Sequence, residues 1–225
     1  MRSSMKKKAF IFDLNGTMIN DMPYHIDAWY NILNNLGAQL SMERMKEECY
    51  GKNSELLERI FPGRFSGEEM DRMIMEKEKA YQKTYAPHLK LIDGLYDFML
   101  KANAAGIRQA IGSAAIMFNI DFVLDGTGVR KFIDTIVSAD DVAESKPNPE
   151  TFLMAAEKMN LAPSECLVFE DTPKGVEAAL HAGMDAIVIT SLHRPDEFNP
   201  YGNVIRFADN FHAFADLLPG MDPIN

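Results

Sequence analysis

Short apolar runs alternate along this chain with helical patterns, and each run stops at a polar residue: AFIF before Asp13, QAIG before Ser113, CLVF before Glu170 and Asp171. That alternation is the signature of a parallel sheet covered by helices on both faces. It predicts strands at residues 9–12, 109–112, 135–138, 166–169 and 186–190, with a further one at 203–207. In such sheets the reactive groups collect beyond the carboxyl ends of the strands.

One interval breaks the pattern. From Asp21 to about Leu91 only helical periodicity is visible. Ile26, Trp29, Ile32, Leu33 and Leu36 recur at helical spacing, and Asn53 is placed to cap a helix carrying Leu56, Leu57 and Ile60. SGEE at Ser66 to Glu69 has capping-box spacing ahead of Met70, Met73 and Ile74. Gly106 and Gly183 each end a helix before a strand. The fold expected is α/β: a Rossmann-like parallel sheet formed by residues 1–20 and 92–225, with an inserted α-helical domain at 21–91.

At 225 residues the chain has length enough for one domain with a smaller insertion. A formal net charge of −10 and the lack of a basic patch argue against nucleic-acid or anionic-membrane partners. No apolar stretch approaches the roughly 18 residues of a membrane span, and no secretory leader is legible, so the expectation is a cytoplasmic protein. Cys49 and Cys166 are too few for a disulfide framework and read as reduced. A monomer is the default.

Four sets of polar residues sit just past strand ends: Asp13, Ser113, Lys146 in SKPNPE, and the pair Glu170 and Asp171. Singly, each has an ordinary role as a turn, cap or solvated loop residue. Together, converging carboxylates repel one another and require a cation. Hard oxygen ligands suit Mg²⁺, which binds through one or two carboxylates plus a substrate phosphate. The metal would make Asp13 usable as a nucleophile towards phosphorus, with Lys146 and the Ser113 hydroxyl meeting the phosphoryl oxygens.

FDLNGT, GSA, SKPNPE and FEDTPKG, in that order, resemble the four motifs of the haloacid dehalogenase superfamily, and more closely those of its β-phosphoglucomutase-like phosphatases. The resemblance covers nearly the whole chain. It implies that Asp13 is the nucleophile that becomes an aspartyl-phosphate, and that Ser113, with Ala114, and Lys146 bind phosphate. It also implies that Asp13, the carbonyl of Asn15, Glu170 and Asp171 hold Mg²⁺. The inserted helices resemble the family's mobile cap, which chooses the substrate. YHIDAW and YGKN resemble cap segments of β-phosphoglucomutases, making His25 and Lys52 candidates for substrate contact, with Lys83 a further one. The arginine that mutases carry after the loop glycine is absent, with Ser54 near that place.

In most such enzymes the residue two after the nucleophile is a second aspartate, which protonates the leaving oxygen. Asn15 has no proton to exchange in the working pH range. The reading is a Mg²⁺-dependent phosphohydrolase acting on a small phosphorylated metabolite, slowed or restricted by Asn15. The alternatives are a β-phosphoglucomutase-like phosphotransferase and a non-catalytic phosphometabolite-binding protein. For a working enzyme, either the leaving group needs no proton or a cap residue such as His25 supplies one.

Overall fold

The computed structural model describes residues 7–218. Among them six strands form one parallel sheet: β1 (Ala9–Phe12), β2 (Arg108–Gly112), β3 (Thr135–Val137), β4 (Cys166–Glu170), β5 (Asp185–Ile189) and β6 (Val204–Ala208). Their order is β3-β2-β1-β4-β5-β6. The strands coincide with the apolar runs because residues in β1, β2, β4 and β5 are covered on both faces and have no solvated side to fill with polar residues.

Register carries the runs to a common edge. Phe12 of β1 lies opposite Ile111 of β2 and Phe169 of β4. The next residue outward, Asp13, donates its backbone N–H to the Phe169 carbonyl at 2.9 Å. The order reverses direction at β1, so the crevice of a doubly wound sheet opens between β1 and β4, where Asp13 and Glu170 begin their loops.

One face of the sheet is phenylalanine-rich. Phe12 stacks on Phe169 with ring centroids 4.9 Å apart, and Phe10 stacks at 5.2 Å on Phe98 of α5 (Leu95–Ala104). Phe211 and Phe214, from a 3-10 segment, close over them. On the other face Ile11, Val168 and Val188 meet Phe152 and Ala155. These belong to α7 (Glu150–Lys158); α8 (Pro173–His181) contributes Val176 and Ala179, and α6 (Met117–Thr127) follows β2.

The chain divides into two compact units, Met1–Asn20 with Lys90–Asn225, and Asp21–Leu89. The second is helical: α1 (Met22–Asn35), α2 (Met42–Glu48), α3 (Asn53–Ile60) and α4 (Gly67–Tyr85). Ile26, Trp29, Leu33, Met45, Leu56, Leu57, Ile74 and Tyr81 form its buried interior. The capping box at Ser66 forms as the sequence implies. Glu69 N–H donates to Ser66 Oγ at 3.3 Å, and Ser66 N–H donates to Glu69 Oε2 at 2.8 Å.

Asn53 does not cap. Lys52 holds the cap position and Asn53 is the first helical residue. Its amide is drawn into a buried polar group, accepting from Trp29 Nε1 at 3.0 Å and donating to Glu78 Oε1 at 2.7 Å. Partners from two other helices outcompete the local cap.

Candidate active site

Asp13 leaves β1 with its carboxylate almost wholly buried, 7% exposed. Lys146 Nζ donates to Asp13 Oδ1 at 2.6 Å and to Glu170 Oε1 at 2.7 Å. The Ser113 hydroxyl also hydrogen-bonds Asp13. Lys146 reaches this point from the loop between β3 and α7, whose amides at Ala143 and Glu144 donate to Glu150 Oε2 at 2.9 and 3.2 Å. Ser113 is fixed by its N–H donating to Val137 O at 3.0 Å, and its Oγ accepts the Ala115 N–H at 3.2 Å, so half-buried Ala114 sits in a tight turn beside it.

Glu170 is held on both oxygens. Oε1 meets Lys146, while Oε2 accepts the Asp171 N–H at 2.7 Å, the Thr172 N–H at 2.8 Å and the Thr172 hydroxyl at 3.0 Å. Those amides lead into α8, so its N-terminus favours the anion. A Cβ at Gly175 would overlap the Glu170 carboxylate, which explains the glycine in FEDTPKG. Asp171 accepts the Thr17 hydroxyl at 3.2 Å and the Ser191 hydroxyl at 3.5 Å. Gly16, with φ of +78°, likewise has its Cβ position taken by the Asp171 carboxylate. Half-buried Asn15 precedes it in a turn closed by the Gly16 N–H donating to Ile19 O at 2.8 Å.

The electrostatics follow from burial. Burial pushes the Asp13 carboxyl up to about 7; Lys146 partly opposes this and Glu170 adds to it. Asp171 is raised well above the usual carboxylate range, first by burial and then by Glu170 and Asp13. Burial opposes the Lys146 ammonium, but Asp13 and Glu170 together hold its pKa above the ordinary lysine value.

Asp13, Glu170 and Asp171 each offer an oxygen within 4.8 Å of the others. Three carboxylates and one ammonium leave two negative charges when all are ionised, which a divalent cation would neutralise. The donors are hard oxygens, and the missing Cβ of Gly16 leaves the space into which Asp171 turns, so the residues present fit Mg²⁺.

The sequence candidates in the helical unit are placed differently. His25, 8% exposed, has Nε2 at 3.2 Å from Asp21 Oδ2 and Nδ1 at 2.6 Å from Lys77 Nζ. It stacks on Tyr81 at 4.0 Å, and the Tyr81 hydroxyl donates to Asp21 Oδ2 at 2.5 Å. Lys77 also donates to Glu78 Oε1 at 2.9 Å. An ammonium can only donate, so Nδ1 accepts and the single proton of a neutral imidazole lies on Nε2, directed at Asp21. Lys52 lies half-buried at the start of α3, and Lys83 is exposed in the last turn of α4.

Sequence reasoning missed Asp21, Lys77, Glu78 and Tyr81. A signal existed: Ile74, Lys77, Glu78, Tyr81 and Tyr85 follow the inward spacing of α4, so two charged residues occupy positions expected to be apolar. Thr17 and Ser191 were missed as well, because a hydroxyl past a strand looks like any loop residue until its partner is known.

The sequence matches the Haloacid dehalogenase-like hydrolase family over residues 10–189. The fructose-1-phosphate phosphatase YqaB of Escherichia coli is 30% identical over 186 residues, spanning 81% of this chain and 96% of that protein. A haloacid dehalogenase hydrolase of family IA, variant 3, from Entamoeba histolytica is 28% identical with a TM-score of 0.81, covering 92% of this chain and 94% of its own. A β-phosphoglucomutase from Clostridium difficile, 24% identical, shares the fold with a TM-score of 0.80 over 94% of this chain and 96% of its own. With the family's motifs converging at the carboxyl edge of its parallel sheet, this chain belongs to the haloacid dehalogenase-like hydrolases.

Proposed function

We propose that this protein is a Mg²⁺-dependent phosphohydrolase of small phosphorylated metabolites that works through an aspartyl-phosphate on Asp13. The observation carrying this reading is the pairing of a buried Asp13 carboxylate with Lys146, beside Asp171 and Glu170. An Asp13 oxygen attacks phosphorus, the bond to the leaving oxygen breaks, and water then releases phosphate and restores the carboxylate. Lys146 and Ser113 meet the phosphoryl oxygens, whose charge grows in the transition state. Bound through Asp13, Asp171, the Asn15 carbonyl and Glu170, Mg²⁺ would supply charge neutralisation between nucleophile and phosphate.

The segment 21–91 is proposed as the substrate-choosing cap, with His25, Lys52 and Lys83 as its candidate contacts. The similarity to a fructose-1-phosphate phosphatase supports sugar monophosphates as substrates. Asn15 favours leaving groups that need little protonation, such as acyl phosphates, and it is also the observation that keeps a non-catalytic binder as the second reading.

The test is phosphate release from acetyl phosphate and a panel of sugar monophosphates, with and without Mg²⁺, by wild type and Asp13→Ala. Release that requires Mg²⁺ and disappears in Asp13→Ala is expected. Release surviving in Asp13→Ala would exclude the covalent route, and saturable binding without turnover would establish the binder.

A further inference from the structure

Residues 49–52 join α2 to α3 with no regular structure of their own, turning at Gly51 with φ of +74°. One side chain spans this turn. From the far end of α3, Arg59 Nη2 donates to the Glu48 carbonyl at 2.7 Å and to the Tyr50 carbonyl at 2.9 Å, and its Nε donates to Glu48 Oε2 at 3.1 Å. The guanidinium carbon lies 4.0 Å from the centroid of the Tyr50 ring. Glu48 is held further by Arg44. The Lys52 N–H donates to Glu55 Oε2 at 3.0 Å, so both ends of the turn are tied to α3.

We infer that Arg59 is a positioning residue that fixes the 49–52 turn, and with it Lys52, for discrimination among phosphorylated substrates. The inference rests on the proposed function, in which Lys52 belongs to the segment that meets the substrate. Arg59 bonds the last carbonyl of α2, which also accepts the Tyr50 N–H at 2.8 Å, and a second carbonyl in the turn, while its flat face packs on the only aromatic ring of that turn. A planar fork that makes these contacts at once defines one backbone conformation. Lysine would keep the charge and lose both the fork and the stacking.

The experiment compares wild type, Arg59→Lys and Tyr50→Leu on the best-used sugar monophosphate and on acetyl phosphate, with hydrogen exchange of the 49–52 amides read in parallel. Arg59→Lys is expected to raise KM for the sugar phosphate about tenfold and to speed exchange of those amides about tenfold. Acetyl phosphate, too small to need the turn, keeps kcat/KM within about twofold. A folded variant with an unchanged preference between the two substrates, or with unchanged exchange, overturns the inference. If Arg59→Lys does not fold, Tyr50→Leu, which removes only the stacked ring, gives both readings. Were the wild type to hydrolyse neither compound, the proposed function would fail, and exchange would still decide whether Arg59 fixes the turn.

Discussion

Asn15 lies two residues past the proposed nucleophile on a turn closed by the Gly16 N–H donating to Ile19 O, a main-chain bond that an aspartate at this position retains. General acid–base help is typically worth about 10² to 10⁴ in rate. Asn15→Asp is therefore expected to raise turnover on alkyl phosphates by roughly tens to thousands of fold, measured beside wild type on the same panel. A flat response would mean that another group already delivers the proton. Within the helical unit, His25 has Nε2 facing Asp21 and Nδ1 facing Lys77, so acting as that donor would require it to exchange these contacts. The same packing that hides His25 also orders Lys77, a lysine 2% exposed whose charge is met by Glu78 and by the faces of Trp29 and Tyr81.

Helix ends differ in how far neighbours intervene. Ser66 begins α4 at an exposed position and is served only by its own first turn, through reciprocal bonds with Glu69. Ser66→Ala is expected to cost about 1 kcal/mol of stability in chemical denaturation, and a variant as stable as wild type would show that the box contributes nothing. Asn53 had the same local chemistry available and lost it to Trp29 and Glu78, which offer better-oriented partners inside the helical unit. Strand positions were easy to read because four of the strands are covered on both faces. The short α2 was not legible: over Met42–Glu48 its buried residues are Met45 and Glu48, so it presents no apolar stripe.

Taken whole, the molecule stores like charge in its buried crevice, and its stability should report this. Asp13 titrates near 7 when folded against an ordinary 3.8, so the native state binds a proton more tightly than the unfolded chain. Between about pH 4 and about pH 7 the unfolded chain has already lost that proton, and stability falls as pH rises. Asp171 acts in the same direction. The thermal midpoint in chelator is expected to be higher at about pH 5 than at about pH 7.5, and Mg²⁺ should recover more at the higher pH, where the carboxylates are ionised. A metal-free midpoint that instead climbs through this window would contradict the buried-acid arrangement. Four motifs far apart in the chain were legible without coordinates, as was the sheet that gathers them, because apolar runs ending in polar residues fix both the strands and which edge carries the chemistry. Residue order alone also located the helical insertion, through a change of period. Tertiary structure decided the partners: that Glu170 spends its oxygens on Lys146 and the start of α8, that Thr17 holds Asp171, and that His25, Lys77 and Asn53 share one buried group. Periodicity reports which way a side chain points. Which group it meets there depends on desolvation and competing donors from elements distant in sequence, and these exist only once the chain has packed.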